Sequence, residues 1–181
     1  MKYFSRGLSL AMLLAALAAC GKAPIEEAVQ KNDRQAVTAA IKAGGDVNAT
    51  VSTGDTPLLL AAKDAQSSSA QALIEGGADI KVRDGAGNGV LHYAAQSGMT
   101  GICGLLLDRG IAVDERGQGG ATPLQLAVLA RRQETAAYLI RHGAKLDLKN
   151  DAGVSALDIV VKSGDTKFAN DLKLAAAIRG G

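Results

Sequence analysis

The chain of 181 residues has no tryptophan and only three tyrosines and two phenylalanines. That scarcity rules out a core built on aromatic rings and leaves few platforms on which nucleic-acid bases could stack. Excess charge is also missing, with 20 Lys and Arg against 18 Asp and Glu, so the basic bias of a nucleic-acid binder is absent. There are two cysteines, Cys20 and Cys103, too few for a disulfide framework. No nucleophile with a base, no carboxylate pair and no ligand set at metal-binding spacing stands out, so no catalytic residue, metal or cofactor is expected. Gly117-Gln118-Gly119-Gly120 is glycine-rich, but no Lys-Ser/Thr follows it and no strand precedes it, so it is not a phosphate cradle.

One long apolar run is present. Residues 8–19 are small and apolar and follow Lys2 and Arg6 with no acid between, which is the layout of an export signal. The run is too short to span a bilayer as a helix. It closes on Leu17-Ala18-Ala19-Cys20, which resembles the lipobox of bacterial lipoproteins. The resemblance implies a signal peptide over residues 1–19, a diacylglycerol on Cys20, a short tether over residues 20–22 and a folded domain from residue 23 to 181. An ordinary signal with Cys20 as an incidental thiol is the alternative. Processing would remove Lys2 and Arg6 and no acid, leaving 18 basic against 18 acidic side chains. In such lipoproteins Gly21, rather than aspartate, after the cysteine implies the periplasmic face of the outer membrane, its inner leaflet; retention at the inner membrane is the alternative. Cys103, left without a partner, shares its place with Val37, Ala70, Ala136 and Ala169 and reads as a small buried hydrophobe.

The three prolines, Pro24, Pro57 and Pro123, are separated by 33 and 66 residues. Glycines recur at 44, 77, 110 and 143, and alanines at 28, 61, 94 and 127, with the same period of 33. Several residue types sharing one spacing indicate stacked supersecondary units, starting at residues 23, 56, 89, 122 and 155. Thr56 and Thr122 can cap a helix that Pro57 and Pro123 begin. Leu58, Ala61 and Ala62 then share one face, as Ile102, Leu105 and Leu106 do in a second helix. The recurrent glycine, such as Gly77 or Gly110, ends that second helix in a left-handed conformation. The Gly-rich, polar residues 81–88 make a reversing loop or hairpin. Ser67-Ser68-Ser69 reads as a softened turn between two helices.

These residues carry a resemblance to the ankyrin-repeat family. The opening tetrapeptide stands as Thr56-Pro57-Leu58-Leu59, Thr122-Pro123-Leu124-Gln125 and, degenerate, Gly89-Val90-Leu91-His92. Leucine pairs follow at Leu73-Ile74, Leu106-Leu107 and Leu139-Ile140, and the ending at Gly77-Ala78-Asp79. The resemblance implies an all-α repeat solenoid of five stacked units, each a helix-turn-helix with a hairpin or loop, whose first and last units are eroded caps. It also implies that His92 ties adjacent loops by hydrogen bonds, whereas His142 in a turn is expected to be exposed.

The resemblance further implies a monomeric, non-catalytic module that binds a protein partner through its concave face. Two rows of candidate contact residues follow. Leu60, Tyr93, Leu126 and Ile159, extended by Leu129, form an apolar stripe on the first helices, which is either contact surface or core. Thr50, Arg83, Arg116 and Lys149 form a ladder on the loops, which would steer an acidic rim of the partner. Expected roles are an immunity protein that neutralises a secreted effector, an accessory factor for a periplasmic enzyme such as one in oxidative-stress defence, or a structural spacer.

Overall fold

The structure, a computed structural model, describes residues 24–178; the signal segment, Cys20 and the tether lie outside them. Among the described residues ten α-helices follow one another in pairs: α1 (Pro24–Gln30) and α2 (Arg34–Lys42), α3 (Pro57–Lys63) and α4 (Ser67–Glu75), α5 (Val90–Ser97) and α6 (Thr100–Asp108), α7 (Pro123–Leu129) and α8 (Gln133–Arg141), α9 (Ala156–Lys162) and α10 (Thr166–Ile178). None is long and apolar enough to cross a membrane.

Helix starts are set by the opening tetrapeptides. The hydroxyls of Thr56, Thr122 and Ser155 accept the backbone N–H of Leu59, Gln125 and Asp158, and Pro57 and Pro123 occupy the first turn, where no N–H is needed. Gly89 has no hydroxyl, and there the N–H of Gly89 donates to His92 Nδ1 instead. Helices this short are marginal alone, so stability comes from stacking. Each first helix packs on the next first helix and each second helix on the next second helix. Leu58, Leu91 and Leu124 form one buried seam with Leu73, Leu106 and Leu139, while Ala61, Ala94 and Ala127, all fully buried, let neighbouring helices approach closely.

Each unit reverses twice. The second helices of the first four units stop at Gly44, Gly77, Gly110 and Gly143, with φ of 89°, 88°, 86° and 112°, as the glycine period predicts. Between first and second helix, the left-handed position falls on Asn32, Ala65, Gly98, Arg131 and Gly164, a second 33-residue series that mixes residue types. The loops between units are tight turns closed from the N–H of Val51, Asp84, Gly117 and Asn150 to the carbonyls of Asp55, Asn88, Ala121 and Val154. Gly117-Gln118-Gly119-Gly120 is one of them. A single antiparallel bridge, Arg83 with Gly89, is the strand pairing among the described residues.

The serine run departs from expectation. It forms the first turn of α4 rather than a softened loop, because Ser69 is buried and held from the unit before: its N–H donates to Asn32 Oδ1 at 3.0 Å and its hydroxyl to the Val29 carbonyl.

Candidate functional site: the concave face and its loops

In units one, three and four the fourth residue ties neighbouring loops. His92 is fully buried, with Nδ1 accepting from Gly89 and Nε2 3.2 Å from the Ala121 carbonyl; an imidazole with its proton on Nε2 satisfies both. Gln125 does the same work with its amide, donating to the carbonyls of Leu148 at 2.8 Å and Val154 at 3.0 Å. In unit one the buried Glu26 accepts from the hydroxyl and N–H of Ser52. His92 is therefore a structural tie, as expected. His142 is exposed and stacks on the Tyr138 ring at 4.2 Å. Cys103 is wholly buried, and burial pushes its thiol up to about 12, which makes it a packing residue.

The apolar row does not behave uniformly. Leu60 is 6% exposed and belongs to the core, so it is removed from the contact surface: its side chain is spent on packing. Tyr93 and Ile159 are half-buried against the same core, Leu126 is half-buried as well, and all three keep part of their surface open. Leu129 is 62% exposed.

Tyr93 is also fixed through its polar end. Its hydroxyl donates to Asp84 Oδ2, and Lys63 Nζ lies 5.6 Å from its ring centroid while bonding both carboxylate oxygens of Asp55 at 2.9 Å. Burial alone would raise the Asp84 carboxyl, but the Tyr93 hydroxyl, the N–H groups of Asn88 and Ala86 and the Lys63 ammonium bring it below its ordinary value. Burial, followed by the Asp84 hydrogen bond, raises the Tyr93 phenol. For Lys63 burial pulls downward and the Asp55 carboxylate more than offsets it, leaving the ammonium raised. The three groups hold one another in their neutral-pH charge states.

The arginines of the loop ladder are bonded into the fold. Arg83 donates to the carbonyls of Gly87 at 2.7 Å and Arg116 at 3.0 Å and to the Glu115 carboxylate at 2.7 Å. Arg116 donates to the Lys149 carbonyl at 2.9 Å and stands 3.7 Å from Asp151. Each arginine thus reaches the backbone of its own counterpart one unit on. The planar guanidinium, with donors on several sides, is suited to such a bridge, and these two cations hold loops together while 40% and 47% of their side chains stay exposed. Thr50 and Lys149 are exposed.

Glu115 is one of the acids beside the ladder that sequence reasoning expects to neutralise it in part, and it pairs with Arg83. Its counterparts are Ala49, Val82 and Leu148, and the apolar series is the signal of its burial. The carboxylate is 12% exposed and 3.2 Å from His92 Nδ1. Among the described residues no group of His, Cys, Asp or Glu is arranged to hold a metal ion.

No curated protein matches the chain. A family model described as ankyrin repeats, in three copies, matches residues 25–117 and, overlapping, residues 91–175. With five helix pairs stacked at a 33-residue period and the match running through all of them, the chain belongs to the ankyrin-repeat family.

Proposed function

We propose that the protein is a lipid-anchored, non-catalytic binding module of the periplasm, which holds a protein partner on its concave face and, as an immunity protein, neutralises a secreted effector. Ankyrin repeats generally serve as protein-interaction modules, which supports the class. The observation that carries the concave face is the state of Tyr93, Leu126 and Ile159: they stay partly open while Leu91, Leu124, and Ala156 with Val160, on the same three helices, are at most 1% exposed. Contiguous apolar surface of this kind marks interaction sites. The anchor rests on the lipobox at Cys20. With the first unit starting at residue 23, Gly21 and Lys22 fully extended span only about 7 Å, so the array would sit close to the bilayer.

Two measurements test this. Fatty-acid labelling should mark the wild type and not Cys20→Ser; label on the variant refutes the anchor. Tyr93→Ala with Leu126→Ala should keep the helical circular dichroism and lose at least about tenfold in affinity for the partner captured by cross-linking in intact cells. Co-expression with that partner should protect the cell only when the face is intact. A folded double variant that binds normally refutes the concave site.

A further inference from the structure

The helix-to-helix turn of unit four breaks one rule that the other units keep and shares a strained left-handed residue with unit two alone. At the last residue of the first helix, four units place Gln30, Lys63, Lys162 or, one residue short of the helix end, Gln96, and unit four places Leu129, 62% exposed. Two residues on, Asn32, Ala65, Gly98 and Gly164 fill the left-handed position elsewhere and Arg131 fills it here, at φ 56°. Glycine and asparagine enter that region easily; an arginine does not. An exposed leucine beside a strained arginine is a local inconsistency of the kind that accumulates at functional sites.

Both residues border a groove of about 310 Å³ between units four and five. The buried Val128 and Phe168 line its floor, Leu129 and Ile159 its walls, and Arg131 and Lys162 its lips. Among the described residues neither cation lies within ion-pair distance of a carboxylate, although Lys162 acts at longer range on Asp158, one turn back on α9. The one carboxylate among the lining residues, Asp165, is turned to the Phe168 N–H at 2.9 Å and caps α10.

We propose that this groove docks an acidic segment of a protein partner, with one bulky apolar side chain entering between Leu129 and Ile159 while flanking carboxylates meet Arg131 and Lys162. The volume, at the lower end for binding pockets, suits a side chain rather than a whole helix. Exposed cations around an apolar floor select anionic flanks and speed encounter. The inference rests on the reading of the chain as a protein-binding module, and it locates a contact away from Tyr93.

The test pans a display library of random short peptides on the purified full-length chain. Selected peptides should pair Leu, Ile or Phe with neighbouring Asp or Glu. Leu129→Gln, which installs the residue of units one and three, should weaken them at least about tenfold, and Arg131→Gly should flatten their salt dependence. Both variants carry residues that sibling units accommodate, so a melting midpoint unchanged in Leu129→Gln and unchanged or raised in Arg131→Gly certifies the fold. Basic selected peptides, or affinity within about twofold in Leu129→Gln, overturn the proposal. So does binding to phosphatidylglycerol vesicles that Leu129→Gln abolishes, or self-association of the wild type lost in that variant. If Tyr93→Ala with Leu126→Ala abolishes binding and Leu129→Gln does not, the concave reading stands and this groove falls; the reverse result upholds the groove and removes the Tyr93 site.

Discussion

Ala65 occupies the left-handed turn between α3 and α4, at φ 56° and with its side chain exposed. For an L-residue this region costs about 1–2 kcal/mol, since Cβ crowds the following carbonyl oxygen. Ala65→Gly removes that cost and adds freedom to the unfolded chain, which takes back about 0.4–1 kcal/mol. Strain relief is the larger effect, so the variant is expected to be more stable by roughly 0.5–1 kcal/mol. Packing hardly enters, because the methyl is exposed, and Gly98 and Gly164 show that the same turn forms around glycine.

In a domain of this size the gain corresponds to about 1–3 °C in melting midpoint. Urea unfolding followed by far-UV circular dichroism gives the free energy directly. Ala65→Val supplies the opposite sign: a β-branched side chain is a true outlier at positive φ, and a loss of about 1 kcal/mol or more is expected. If glycine destabilises the fold, or valine is tolerated without loss, the turn is not strained at Ala65 and the reasoning fails. It would fail equally at Arg131, where the same backbone argument supports the groove.

Two further outcomes are expected. The Cys103 thiol, buried and raised to about 12, should ignore a thiol reagent in native buffer at neutral pH and react fully in urea; stoichiometric labelling of the folded chain would contradict its burial. The Tyr93 cluster should fail at both pH extremes. Asp84 lies below its ordinary 3.8 in the fold, so its contribution is complete above that pH and fades as pH falls through the lowered value. Tyr93 and Lys63 lie above 10.0 and 10.5, so theirs is complete below those values and fades as pH climbs through the raised ones. Urea midpoints against pH should therefore fall less steeply above pH 10 in Tyr93→Phe than in the wild type; parallel curves would refute the role of the phenol.

The architecture was legible because it is written in residues that backbone geometry requires. Proline at a first turn, glycine at positive φ and alanine at a close helix contact each recur at one spacing, and no tertiary information is needed to find them. The concave face was less legible for a physical reason. Leu60 and Leu126 are the same residue at the same place in their units, yet one is core and the other half-open, because exposure depends on what neighbouring units bring alongside. The arginines were partly legible in another way. A sequence shows that Arg83 and Arg116 carry charge on a loop, but not that each guanidinium is bonded to a carbonyl 33 residues further on.

Departures from a repeat are informative only after asking whether the chain itself compensates them. Glu115 puts a carboxylate where three counterparts are apolar, an arrangement costly to bury alone. The fold answers it with the Arg83 guanidinium at 2.7 Å. Glu26, buried at the opening of unit one, is answered by Ser52. Both departures close within the chain, so stability accounts for them without a ligand. Leu129 and Arg131 receive no such answer among the described residues: the leucine stays uncovered, and the arginine bears a left-handed backbone with no carboxylate within ion-pair distance. What one chain leaves uncompensated is the place where a second molecule can contribute, and in this array that place lies between units four and five.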